Sequence, residues 1–393
     1  MLSKKSLAWG QSDNIIRTLT AYGVSRKAEI GADRVFDFSI GNPSIPAPAC
    51  VHQAIAELLS GDSVELHSYT PAPGLMSLRQ AIAGELNARF GAEVRPELVF
   101  VTCGASAGLS ICTHALLSPG DKAVAFAPFF PEYRVFVEAA GAELLTVPPA
   151  EGLQPDLDVL EQLLDETVGL VIVNTPNNHS GVVLSEESLR RLCGILRAAE
   201  LRCGHPIYLV SDEPYRELVY DGSPVPCPLN FYDNAILCYS YSKALSLPGE
   251  RVGYLAVSSR ARDSERIFAA LNGAARALGF VNAPSLMQRV VERCLDQTAE
   301  LSLYKRNRDL LYNGLRELGY DCVYPDGAFY LFVRSPEPDA VAFSERAKKY
   351  ELLLVPGNDF GVSGYVRLAY CVSEDMIRRS LPAFAALAKE YGL

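Results

Sequence analysis

From Ser77 onward, short apolar runs alternate with stretches of helical periodicity. The runs at 98–102, 123–127, 170–174, 207–211, 235–239 and 253–257 read as strands, and helical stretches separate most of them. That alternation predicts βαβ units and a mainly parallel sheet. Before Ser77 the texture differs. An amphipathic helix is expected over 13–28, followed by V-F-D-F-S-I-G-N-P-S-I-P-A-P, a strand that ends in a proline-rich turn. Beyond Asn282 a long charged helix, S-L-Y-K-R-N-R-D-L-L-Y-N-G-L-R-E-L, precedes short strands at 328–333, 352–355 and 365–371 and a closing helix. The expected fold is α/β. A doubly wound sheet fills a large domain at 46–282, and a smaller α+β domain is built from the N-terminal arm 1–45 and the C-terminal segment 283–393. There is no internal repeat and no low-complexity segment.

Composition narrows the function classes. With 393 residues, 49% hydrophobic and 21% charged, the chain can bury a core of two-domain size. A net charge of −10 argues against a nucleic-acid surface, so a small-molecule partner is expected. The ten cysteines come no closer than nine residues, Cys103 to Cys112, which offers neither a C-x-x-C pair nor a zinc knuckle. No metal site is expected. Lys4 and Lys5 precede no apolar core of signal-peptide length, and no apolar stretch approaches the roughly 20 residues of a membrane span. The expectation is a soluble, cytoplasmic protein with reduced cysteines.

The expected strands deliver chemistry at their carboxyl ends, where doubly wound sheets build ligand sites. The run 235–239 leads into S-Y-S-K-A-L-S-L-P-G-E-R and places Lys243 just past the strand. A buried ammonium there is costly unless it has a use, either a phosphate contact or a Schiff base with a carbonyl cofactor. Arg251, eight residues on, opens the next strand as a solvated edge residue or a phosphate clamp. Thr102 leads into C-G-A-S, where Gly104 allows a tight turn and a helix beginning near Ala105 and Ser106 presents free N–H groups to an anion, or merely starts a helix. P-F-F-P-E-Y sets Phe130 and Tyr133 on a proline-stiffened loop that suits a flat ring or simple packing. T-P-N-N-H-S-G offers the Asn178 amide, which could equally form the turn. D-E-P-Y places Asp212 and Tyr215 three residues apart, on one face of an opening helical turn, with Asp212 also a plausible N-cap. Five successive strand ends thus aim an anion nest, a ring platform, an amide, a carboxylate with a phenol, and a lysine with an arginine at one crevice. Its contents suit a planar, phosphorylated, aldehyde-bearing heteroaromatic.

These blocks, with Y-T-P-A-P-G-L-M-S-L-R from Tyr69 to Arg79 and a late Y-V-R-L-A-Y, resemble in order and spacing the class I/II aminotransferases of the fold-type I pyridoxal-phosphate enzymes, over nearly the whole chain. The resemblance implies pyridoxal 5'-phosphate as cofactor and a homodimer with shared active sites. It implies that Lys243 holds the cofactor as a Schiff base and that Asp212 pairs with the pyridine nitrogen. Tyr215 and Asn178 would bond the ring oxygen, and Phe130 would stack on the ring. Gly104, Ala105, Ser106, Ser240, Arg251 and Tyr69 of a second subunit would hold the phosphate. Arg367, with the Gly41 backbone and Asn178, would take the substrate α-carboxylate. Two positions depart from the family pattern. Asn178, His179, Ser180 and Gly181 stand where N-P-T-G is usual, and Ser106 stands where some aspartate-specific members carry a lysine.

The implied activity is ping-pong transfer of an amino group from an L-amino acid to a 2-oxo acid such as 2-oxoglutarate. Aspartate is the default donor, and alanine and aromatic donors stay open. Phe329, Tyr330 and Phe360 serve either as pocket aromatics or as packing. The alternative on the same scaffold is a C–S β-lyase. A cofactor-sensing regulator is the remaining class, and the basic DNA-binding footprint it needs is not present.

Overall fold

A computed structural model describes residues 2–12 and 15–393. Its strands are β1 (Phe36–Asp37), β2 (Val99–Thr102), β3 (Lys122–Phe126), β4 (Glu143–Val147), β5 (Val168–Asn174), β6 (Tyr208–Asp212), β7 (Ala235–Ser240), β8 (Gly253–Val257), β9 (Cys322–Val323), β10 (Tyr330–Arg334), β11 (Leu352–Leu353), β12 (Val355–Pro356) and β13 (Tyr365–Ala369).

The large sheet runs β2-β8-β7-β6-β5-β3-β4. Its pairs are parallel except at β8, which opposes both β2 and β7. The expected mainly parallel sheet is therefore correct with one reversed strand. Winding reverses at β3, with β4 on one side and β5 on the other, so a crevice opens beyond the carboxyl ends of these strands. The reversal of β8 has a further effect. Its first residues, not its last, lie at that edge, and this is how Arg251 reaches the crevice although it precedes its strand.

Alternate residues of each strand enter two cores, as a pleated sheet covered on both faces requires. Val99, Val101, Val171, Val173, Leu237 and Ala256 pack on one face. Phe100, Ala125, Leu170, Ile172, Ile236 and Leu255 pack on the other. The helix Ala105–Leu116 lies on the second face against Ser264–Leu278, while Ser285–Glu292 packs on Ala49–Leu59 and Met76–Phe90. A third core joins Phe38 to Phe329, Phe343 and Phe384. Around it lie the antiparallel sheet β12-β13-β10-β9 and the parallel pair β1-β11, which ties the N-terminal segment to the C-terminal one. Tyr215, Leu218 and Tyr220, just after β6, belong to this third core, so the loop that follows the large sheet is anchored in the small one.

The structure corrects several expected boundaries. The start of the first expected helix, Asp13, with Asn14, lies outside the described residues; from Ile15 the helix continues to Ile30. A preceding helix, Lys4–Gln11, was not anticipated, and the Ser3 side chain caps it. The strand expected at 328–333 begins only at Tyr330, because Ala328 adopts a positive φ of 56°. The segment 352–355 divides into two strands that pair with different partners. β4 escaped notice because it is an edge strand whose exposed Glu143 and Thr146 break the apolar run. Asp212 is the last residue of β6, and the residues after it make turns instead of the expected helical opening.

Candidate active site

The carboxyl edge of the large sheet encloses a cavity of about 270 Å³. Gly41, Ala105, Ser106, Phe130, Asn178, Asp212, Tyr215, Ser240, Lys243 and Arg251 all line it, together with Tyr330. Gly104 stands directly behind it as the residue before the helix Ala105–Leu116. Arg367 borders it through Tyr330, its guanidinium 4.6 Å from that ring. Tyr69 is not part of it and is 96% exposed.

β7, buried along its whole length, ends in Ser240, whose side chain caps the short turn of helix Tyr241–Ala244 and so fixes where Lys243 points. Lys243 Nζ donates to the Gly41 carbonyl at 3.2 Å and lies 5.2 Å from the Phe329 ring. Burial lowers its pKa to about 8, and the cations Arg251 and Arg367 act in the same direction. Among the described residues no carboxylate pairs with it. The same cavity holds the opposite oddity. Asp212 is 4% exposed, accepts from the Tyr133 phenol at 2.5 Å through Oδ2, and has no partner at Oδ1. Burial raises its pKa to about 7, against the stabilising bond from Tyr133.

Tyr215 stacks edge-on against Phe329 and shares a hydrogen bond of 3.2 Å with the Tyr330 hydroxyl. Its phenol pKa lies well above the usual value, first through burial, so it stays a neutral donor. In the loop after β5, Asn177 is the turn former. Its Oδ1 accepts from the His179 and Ser180 N–H groups and its amide reaches the Pro128 carbonyl. This leaves Asn178 free of turn duties, with a buried Oδ1 that has no partner. Asn174 holds both ends, taking the Asn178 N–H at 2.5 Å and donating to the Asp212 carbonyl.

At the other end of the cavity Gly104 has φ 84° and ψ 173° and no side-chain cap, so the first N–H groups of a 12-residue helix are open toward the cavity. A Cβ on Gly104 would lie 2.7 Å from Arg251 Nη2. Among the described residues the Arg251 guanidinium hydrogen-bonds to the Pro248 and Cys103 carbonyls.

Arg367 sits in β13, across from Phe332 and Val355, and is 3% exposed. Nη2 donates to the Ser39 carbonyl at 2.7 Å and Nη1 to His179 Nδ1 at 3.1 Å, while Nε has no partner. Among the described residues no carboxylate acts on it, so this buried cation lacks an anion.

Orphaned groups thus occur in complementary positions: a carboxylate oxygen with no cation, an amide oxygen with no donor, a helix N-terminus and arginine facing open space, and a lysine of lowered pKa. A flat ring with a protonated nitrogen, a ring oxygen, an aldehyde and a phosphate fits that set. Sequence reasoning missed Tyr133 as the partner of Asp212, and Asn174 and His179 altogether as site residues. The sequence offers Tyr133 as a ring platform or a packing aromatic, and its phenol instead donates to Asp212. Its N–H donates to the Phe130 carbonyl and the two rings meet edge to face at 5.7 Å, so Phe130 lines the cavity while the Tyr133 phenol reaches Asp212.

Residues 33–384 match the family aminotransferase class I and II. The aspartate/prephenate aminotransferase of Thermus thermophilus is 31% identical over 360 residues, which cover 88% of this chain and 89% of that protein. An aminotransferase crystal structure from Eubacterium rectale superposes with a TM-score of 0.98 over the full length of both chains at 47% identity. The Thermus thermophilus aspartate aminotransferase solved with maleate gives a TM-score of 0.87 at 27% identity, over 98% of this chain and 99% of that one.

Proposed function

The chain belongs to the class I and II aminotransferases, pyridoxal 5'-phosphate enzymes, and from that premise we propose that it passes the amino group of an L-amino acid, by default aspartate, to a 2-oxo acid such as 2-oxoglutarate in a ping-pong sequence. The observation that carries the reading is the pairing of an unpartnered Asp212 oxygen with a lowered-pKa Lys243 in one cavity.

When bound, pyridoxal phosphate supplies an aldehyde that condenses with amines and a ring that accepts the electrons left when Cα loses its proton. The residues supply the rest. Asp212 holds a proton on the ring nitrogen by opposite charge, with Tyr133 fixing its orientation. Tyr215 and Asn178 would hold the ring by hydrogen bonds, and Phe130, which lines the same cavity, would pack against it. Gly104, Ala105 and Ser106 at the helix N-terminus, with Ser240 and Arg251, hold the phosphate. As a free amine, Lys243 Nζ would accept the substrate Cα proton and release it within the same cavity, a transfer favoured by proximity. Arg367 grips the α-carboxylate with the N–H groups that Ser39 and His179 leave free, and Gly41 and Asn178 border that position.

Tyr69, exposed on a single chain, is proposed to reach the phosphate of a second subunit, making the working unit a homodimer. The cysteines are free, which suits the cytoplasm we propose as its compartment. No helix of the described residues is long and apolar enough to cross a membrane.

Aspartate as donor rests on the names of the relatives. Among the described residues lining the cavity, Lys243 and Arg251 are the cations, so a second carboxylate must be met from beyond that lining. A donor screen with 2-oxoglutarate, reading the oxo-acid product from aspartate, alanine, phenylalanine and tyrosine, tests the reading. Aspartate is expected to lead. Release of ammonia and pyruvate from cystathionine without an oxo-acid acceptor would instead identify a C–S β-lyase.

A further inference from the structure

Arg367 is held on one side by a histidine, and the chemistry of that contact is restrictive. A guanidinium has five donors and no acceptor, so at 3.1 Å from Arg367 Nη1 the His179 Nδ1 must be the acceptor and the ring proton must sit on Nε2. His179 is buried, its ring lies flat on Phe360 at 3.7 Å with an interplanar angle of 8°, and Phe360 also faces the Arg367 guanidinium at 5.2 Å. Burial first, then the neighbouring cation, keeps the imidazole uncharged. Three segments meet here: the turn after β5, the strand β13, and the turn Gly357–Phe360. Among the described residues the guanidinium's other hydrogen bond is to the Ser39 carbonyl. The side chain of the proline usual at this position in the family offers no acceptor.

We propose that His179 is a positioning residue that fixes the Arg367 guanidinium for the substrate α-carboxylate. It takes one Nη1 hydrogen and leaves the remaining donors of the planar fork aimed as a set, so less freedom is lost when a carboxylate docks. The proposal rests on the reading of Arg367 as the α-carboxylate site. Its consequence is general: every donor and every acceptor carries that carboxylate, so the loss of His179 affects all of them equally, whatever their side chains.

The test compares His179→Phe, which keeps a ring on Phe360 and removes the acceptor, with His179→Asn, which keeps an acceptor near the Nδ1 position and loses the ring. KM and kcat are measured for the best donor of the screen and for 2-oxoglutarate, beside Arg367→Lys. The expected result is a rise in both KM values of about tenfold for the Phe variant, the scale of one hydrogen bond to a charged group. kcat and the absorbance of bound pyridoxal phosphate should hold, and the Asn variant should stay within about threefold of the native protein. Unchanged KM values in His179→Phe beside raised ones in Arg367→Lys overturn the role of His179 and leave Arg367 intact. Unchanged values in Arg367→Lys overturn the carboxylate reading itself. If the Phe variant does not fold, His179→Leu removes the same acceptor and is set against His179→Asn in the same way.

Discussion

The phenol of Tyr133 donates to Oδ2 of Asp212 at 2.5 Å and leaves Oδ1 of the same carboxylate with no partner. This bond and a longer one from the Asn174 amide to the same oxygen, at 3.4 Å, do not offset burial of a charge, so the Asp212 pKa stands at about 7. Because the folded pKa exceeds the unfolded one, the ionised group costs the apo fold increasingly as pH rises from about 4, and the cost is complete above about pH 7, on the order of 4 kcal/mol. A cation at Oδ1 removes that cost.

Asp212→Asn should therefore have opposite effects on the two forms. Apo protein at pH 8 should melt higher than the native apo protein, and the difference should shrink toward pH 5. With cofactor present the same variant should lose about a hundredfold in kcat, the scale of one preorganised charge. Melting curves of both forms at the two pH values decide the matter. A drop in apo stability equal at both would show that Asp212 is simply a structural acceptor for Tyr133.

Lys243 gives a pH dependence of the other sign. At pH 7 a lysine of pKa about 8 is roughly one tenth neutral amine, against about one part in 3000 for an unshifted side chain. Capture of pyridoxal phosphate by the apo protein should therefore climb about tenfold per unit below pH 8 and level off above it, followed by absorbance after mixing. Lys243→Ala should leave no borohydride-fixed cofactor on the polypeptide by mass spectrometry. A rate still climbing at pH 10 would mean that Lys243 is not desolvated as the structure has it.

Gly41 is required by space. A Cβ there would lie 1.9 Å from the Tyr330 hydroxyl and 2.6 Å from its ring carbon, too close for any side chain. Gly41→Ala must push Tyr330 away from Tyr215 and shift the carbonyl that receives Lys243. The expected cost is about 1–3 kcal/mol in urea denaturation, as for other overpacked sites. In a Tyr330→Ala background the same change should cost almost nothing, and additivity of the two substitutions would refute the clash.

What was legible in the sequence follows from what a strand end does. β7 and β6 are continuous apolar runs, so the position of Lys243 and Asp212 at the sheet edge could be read without coordinates. Resemblance to a known family then supplied the roles. The hidden parts are those where one residue acts on another across the fold. Tyr133 and Asp212 are 79 residues apart, and Arg367 and His179 are 188 apart. No local pattern marks such a pair. The division of labour between Asn177 and Asn178 was equally invisible, since either amide could form the turn, and only the Pro128 carbonyl across the crevice selects Asn177. β4 was lost for another reason, the mixed polarity of an edge strand.

Arg251 offers the sharpest separation of phosphate from ring. Its backbone has a positive φ of 56°, and its guanidinium stands against Gly104 with only carbonyl contacts. Carbonyls satisfy two N–H groups but leave the charge unneutralised, so a phosphate at the helix N-terminus would gain a charge-assisted bond that a ligand without the phosphate cannot make there. Arg251→Gln should weaken pyridoxal 5'-phosphate binding by about ten- to a hundredfold, corresponding to roughly 1.5–3 kcal/mol, and leave the affinity for pyridoxal, which has no phosphate, nearly unchanged. Gly104→Ala should reproduce the same ratio by another route. Its Cβ would strike Arg251 Nη2 at 2.7 Å and its φ of 84° is strained for alanine, so the arginine and the first helical N–H groups move together. Equilibrium titration of both variants with the two ligands gives the ratio directly. Equal losses for phosphate and non-phosphate ligands would place Arg251 at the ring or in the fold, and the phosphate would have to be held by the helix N-terminus and Ser240 alone.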